Sequence, residues 1–114
     1  MAHREHIEWY NMWVTGADEE TLPRLLLIGD SIAGSYFDTV ETELKGMFFC
    51  SRIATSSSVC DTAIRRAMAL LLDDYRFSVI HFNNGLHGWE YDEAAYATGL
   101  CLTLEFIAER SPQS

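Results

Sequence analysis

The residues with chemical potential cluster in three short stretches. Gly29-Asp30-Ser31 places a serine just beyond a continuous apolar run, Leu25–Ile28, and before a segment of helical spacing. A serine between a buried strand and the first turn of a helix has its hydroxyl beside free backbone N–H groups. Those donors and the helix dipole favour negative charge developing on an oxyanion. Gly29 permits the tight turn. Read more plainly, Asp30 or Ser31 only caps the helix. The second stretch, Ala54–Asp61, carries Thr55–Ser58, Cys60 and Asp61; the third, Asn83-Asn84-Gly85-Leu86-His87-Gly88, carries two amides and an imidazole. Cys60 precedes a helix start, where a thiol pKa can fall. His3 and His6 lie in the N-terminal segment without a metal role. His81, inside an apolar strand, is expected to pack in the interior or against a helix.

These stretches need elements to hold them. Arg24-Leu25-Leu26-Leu27-Ile28-Gly29 reads as a strand buried on both faces, the mark of a parallel sheet covered by helices. Ile32, Tyr36, Val40 and Leu44 then recur at four-residue spacing, predicting an amphipathic helix that ends before Gly46. Met47–Ile53 reads as a second strand. Asp61 is placed to cap a helix whose stripe is Ile64, Ala67, Met68, Leu71 and Leu72. Ser78–Phe82 reads as a third strand, Asn83–Tyr91 as a loop. A last helix follows from about Asp92, with Tyr96, Leu100, Leu104 and Ile107 on one face. The order βαβαβα predicts an α/β sandwich of three layers with a short parallel sheet. Sites in such sheets lie beyond the carboxyl ends of the strands, where all three polar stretches fall.

The block Arg24–Ile32 resembles the first block of the SGNH, or GDSL-type, hydrolases, which are esterases and lipases acting on acyl, often acetyl, esters. Ser78–Gly88 resembles a strand and Asn-x-Gly-Leu-His loop of a bacterial subgroup, and Trp9–Trp13 and Leu22-Pro23-Arg24 look like that subgroup too. The resemblance runs from about residue 7 to residue 108. It implies a flavodoxin-like fold with sheet order 2-1-3-4-5 and Ser31 as a nucleophile whose own N–H enters the oxyanion hole. Gly29, Asp30 and Gly85 would shape the site. The family's second block supplies a glycine N–H; the nearest position here is Cys60. Its third block, Gly-x-Asn, aligned on Gly85, puts His87 in the asparagine's place and Asn83 two residues before the glycine. Asn83 and His87, rather than Asn84, are therefore the expected donors. The implied ligand is a small acyl ester, with no cofactor and no metal.

One family feature has no counterpart. The catalytic Asp and His of the family sit in a D-x-x-H block after two further strands, and the 114 residues end at Ser114 with no such block. A serine without a base stays protonated. Losing the base leaves roughly 10³–10⁴-fold residual catalysis. The expectation is an impaired esterase or, from a different class, a noncatalytic α/β binding or assembly module. A nucleotide binder is disfavoured by the lack of G-x-G-x-x-G and Walker A sequences. Without a fourth strand, the strand Val79–Phe82 becomes an edge, which predicts a homodimer through it, a swapped arrangement, or poor solubility.

Composition narrows the class. Eight basic against 17 acidic residues give a formal charge of −9, which disfavours binding to nucleic-acid phosphates. With 48% hydrophobic residues and only 2 prolines, the chain is neither disordered nor collagen-like. One domain burying roughly two-thirds of its unfolded surface is expected. Three cysteines, Cys50, Cys60 and Cys101, without CxxC spacing argue against a disulfide framework or a zinc ribbon and for buried small hydrophobes. Trp9, Trp13 and Trp89 are expected in core or lid packing, and Asp18-Glu19-Glu20 and Asp73-Asp74 on a solvated surface. No export signal or membrane-length apolar run is visible, so the expected setting is the cytoplasm, with no membrane contact.

Overall fold

A computed structural model describes residues 4, 6–83 and 92–110. In chain order the elements are β1 (Tyr10–Val14), β2 (Arg24–Gly29), α1 (Ser31–Glu43), β3 (Phe49–Thr55), α2 (Thr62–Leu72), β4 (Val79–Phe82) and α3 (Glu93–Arg110). The sheet order is β1-β3-β2-β4. β2 pairs in parallel with β3 and with β4, and β1 lies antiparallel on the outer side of β3, with Tyr10 opposite Thr55 and Val14 opposite Ser51. The expected three-strand parallel sheet thus gains a fourth, antiparallel strand from the aromatic segment near the N-terminus.

Because successive strand residues point to opposite faces, the apolar run of β2 feeds two cores. Leu26 and Ile28, with Ile53 of β3, meet Ile64, Met68, Leu71 and Leu72 of α2, Ile107 of α3, and Phe77. Leu25 and Leu27, with Cys50, meet Phe37 of α1 and its neighbours Tyr36, Val40 and Leu44. The result is the expected sandwich: α1 on one face, α2 and α3 on the other. Each fully buried Leu, Ile or Phe there stabilises the fold by roughly 1.5–3 kcal/mol.

Two helix faces differ from their expected stripes. In α1 the fully buried positions are Ala33 and Phe37, while Ile32 is exposed. In α3 the buried line is Gly99, Thr103 and Ile107, and Leu104 stands half in solvent. Gly99 explains the second shift. A Cβ there would stand 2.7 Å from the Val59 carbonyl oxygen, so the helix approaches the loop before α2 on its smallest residue. Thr103 follows that contact, its hydroxyl donating to Gly99 O at 2.8 Å and accepting from Arg65.

At the N-terminal ends of the parallel strands a cavity of about 730 Å³ is lined by Arg24, Tyr75 and Ser78 among others. Arg24 is buried and its guanidinium donates to the carbonyls of Thr15, Gly16 and Glu19. The same guanidinium stacks over Phe49 and, 4.7 Å away, over Tyr75. β4 is an edge of the sheet, with Val79 and His81 exposed. Of the two places expected for His81, the interior is not the one taken, because an edge strand covers only one of its sides; the exposed imidazole lies against α1, its ring centre 6.2 Å from that of Tyr36.

Candidate functional site

At the opposite, C-terminal ends of the parallel strands the described residues are largely polar. The turn from β2 into α1 is made at Gly29, where a Cβ would stand 2.5 Å from Ala33 Cβ and 2.8 Å from Asn83 O. Only a residue without a side chain lets the first turn of α1 and the end of β4 close on this point. Asp30, almost fully buried, is the N-cap. One of its carboxylate oxygens accepts from the N–H groups of Ile32, at 2.9 Å, and Ala33.

Capping by Asp30 decides the state of Ser31. The aspartate takes the second and third N–H groups of the helix, and no described group accepts from the Ser31 N–H or bonds its hydroxyl. Ser31 is exposed, at the positive end of a 13-residue helix with no acidic residue in its first turn. Its carbonyl accepts from Ser35 Oγ at 2.8 Å. The hydroxyl therefore faces solvent beside a free donor, which is the setting an oxyanion needs.

The other expected donors are placed unequally. Asn83 follows β4, is exposed, and its N–H donates to Ile28 O at 2.8 Å, so the residue stands beside the elbow. The Cys60 N–H donates to Ser58 Oγ at 3.2 Å and its thiol to Ala95 O at 3.5 Å, so both donors of Cys60 have acceptors within the fold. Asn84, Gly85, His87 and Trp89 lie outside the described residues. His81 Nε2 shares a hydrogen bond of 3.1 Å with Tyr36 OH of α1. Cys50 is buried and Cys101 exposed; burial pushes the Cys50 thiol up. Burial likewise raises the Tyr96 phenol, helped by the neighbouring charges of Cys60 and Asp30. No cluster of three His, Cys, Asp or Glu side chains suited to a metal ion occurs among the described residues. No helix among them is long and apolar enough to cross a membrane.

Asp61 caps α2 as the sequence predicts, accepting from Ala63 N at 3.0 Å. It also pairs with Arg4, whose Nε donates to it at 2.7 Å. That bond, joined by the Ala63 N–H, holds the Asp61 carboxyl below the ordinary carboxylate value, against the opposing effect of burial.

The sequence reading missed a groove. Ser31, Gly34 and Ser35 of α1 form one wall, Trp9 and Asn11 the other, and Arg52 and Ala54 of β3 the floor, enclosing about 300 Å³. Its second wall exists because β1 pairs with β3. Trp9 is pinned there by its N–H to Ser56 Oγ and by its carbonyl, which accepts from Thr55 Oγ1 and Ser56 N. Trp9 is half-buried and Trp13 is 55% exposed, so neither is a core residue of the expected kind. The signal that could have found the groove was Arg52, a charge inside an otherwise apolar strand. Comparison with protein-family models and with curated proteins finds no match to this chain.

Proposed function

We propose that the chain is an SGNH-type serine esterase-like domain acting on a small acyl ester through Ser31. One observation carries the reading: Asp30 caps α1 through the second and third N–H groups, and the Ser31 hydroxyl and N–H, at the rim of a groove, have no partner among the described residues. In this reading Ser31 Oγ attacks the ester carbonyl carbon and gives its proton to water, the C–O bond to the alcohol breaks and the alcohol leaves with a proton from water, and a second water then hydrolyses the acyl-serine to the acid. In the same reading the donors to the carbonyl oxygen, as it gains charge, are the Ser31 N–H and the Asn83 side-chain amide, the Asn83 backbone N–H being taken by Ile28 O. The parallel strands, in the order β3-β2-β4, suit the resemblance, although other doubly wound sheets share that order. Among the described histidines, His81 is engaged with Tyr36 and none bonds Ser31. Activity resting on the oxyanion site alone would be weak, roughly 10³–10⁴-fold over water.

The test is reaction with a fluorophosphonate probe followed by intact mass, with Ser31→Ala as control. A single adduct lost in Ser31→Ala supports an activated nucleophile. A folded protein that takes no label favours the second reading, a noncatalytic α/β assembly module. What favours that alternative is the β4 edge, with Val79 exposed, together with Leu102 and Leu104 about half exposed on α3. It predicts a homodimer through Val79–Phe82. A monodisperse monomer by light scattering removes it.

A further inference from the structure

We infer that the groove beside Ser31 takes an ester carrying a carboxylate, held by Arg52; the catalytic half of this inference rests on the Ser31 reading. Arg52 lies on β3 beside Leu27 of β2 and opposite Trp13 of β1, two residues before Ala54 on the same face. Its side chain and Ser31 therefore line one cavity from its floor and its rim.

The guanidinium is held in place. Its Nε donates to Asn11 Oδ1 at 2.8 Å, and its central carbon lies 4.8 Å from the Phe37 ring centre and 5.5 Å from that of Trp13. An arginine has five N–H donors in a planar fork, and Asn11 takes the one on Nε. The two terminal nitrogens are the pair that grips a carboxylate side by side.

Arg52 differs from Arg4, Arg24, Arg65 and Arg110 in what it meets. Arg4 meets Asp61 and Arg110 meets Asp73, while Arg24 and Arg65 hold backbone carbonyls. No carboxylate pairs with Arg52 among the described residues, in a chain with 17 acidic and only 8 basic side chains. Half-buried and fixed, it is a cation without a carboxylate partner among the described residues, placed to take one from a ligand. A neutral acetyl group would have no use for it. The groove is at the lower end of ligand-site volumes, so the guest is small. Gly34 and Ala54 keep the space between helix and floor narrow; a Cβ on Gly34 would already stand 3.5 Å from that of Ala54.

The experiment compares two esters of nearly equal shape, monomethyl succinate, which is anionic, and dimethyl succinate, which is neutral. Binding is followed by tryptophan fluorescence and NMR shifts on the Ser31→Ala protein, which removes turnover. The monoester is expected to bind about tenfold tighter, and Arg52→Gln in the same background to erase the difference. Raising the salt concentration is expected to shrink the preference in the protein that keeps Arg52, a readout that needs no folded Arg52 variant. Equal binding of the two esters, binding of neither, or a preference that survives either Arg52→Gln or high salt overturns the inference. Labelling of Ser31 without a charge preference keeps the esterase reading and ends this one. A charge preference without labelling ends the esterase reading and leaves an anion-binding groove.

Discussion

Asp30 and Asp61 hold equivalent places: each follows a parallel strand or its loop, is buried, and caps the helix that comes next. Around Asp61 the position is closed. Arg4 pairs with the carboxylate, and α3 presses the Val59–Cys60 backbone with Gly99. Around Asp30 no cation is found among the described residues, and the serine that follows faces a cavity. The same cap is structural in one place and leaves a reactive group exposed in the other. What separates them is whether the rest of the chain covers the first turn.

The strongest way to break this comparison is to remove the close approaches behind both helix starts. Gly29→Ala and Gly99→Ala should each cost about 1–3 kcal/mol, read by urea unfolding, because in each case backbone blocks the new methyl. A cost near zero at either position would mean that the helix start is not pinned there. Next in size are the caps. Asp30→Ala and Asp61→Ala should each lose about 1 kcal/mol in thermal unfolding. Asp61→Asn keeps the capping oxygen but loses the charge, and should fall between Asp61→Ala and the unchanged chain.

The pH profile sharpens the contrast further. Asp61 is held below its ordinary value of 3.8, so its stabilisation is present above that value and fades as acid takes the pH below it. Arg4→Gln moves the folded-state value back toward the ordinary one, and should flatten the acid side of a stability–pH curve. An unchanged curve would show that the pair is not formed in solution. The smallest effect belongs to the open start: Ser31→Ala should change stability by less than about 0.5 kcal/mol, since nothing in the fold depends on that hydroxyl. A larger loss would return Ser31 to a structural role.

How much of this could be read from residues alone varied by element. The buried run of β2 and the stripe of α2 have strong periodic signals, and Asp61 before Thr62 is an evident cap. β1 was not legible as a strand: Tyr10-Asn11-Met12-Trp13-Val14 is an edge with only partial burial, so its side chains alternate weakly. The α3 stripe was misread because apolar residues surround that helix, and the contact that decides its rotation is made by Gly99 and Thr103, which carry no hydrophobic signal. At the site, Gly29, Asp30 and Ser31 are contiguous and could be reasoned about locally. The groove could not, since Trp9 and Arg52 meet only through the β1–β3 register.

That register has a kinetic side. β1 does not pair with β2, the next strand in sequence; it pairs with β3, some forty residues on. β1 therefore has no edge to join until β3 has formed, and the loop that this pairing closes is long. β1 is also an edge strand, paired on one side only, so its amides should exchange through partial opening while those of β2 wait for the whole fold to open. In the species without β1, Ser31 and its cap are in place, but the groove has a single wall and Arg52 has lost Asn11 and Trp13. Recognition in this molecule then depends on an edge strand staying docked on β3.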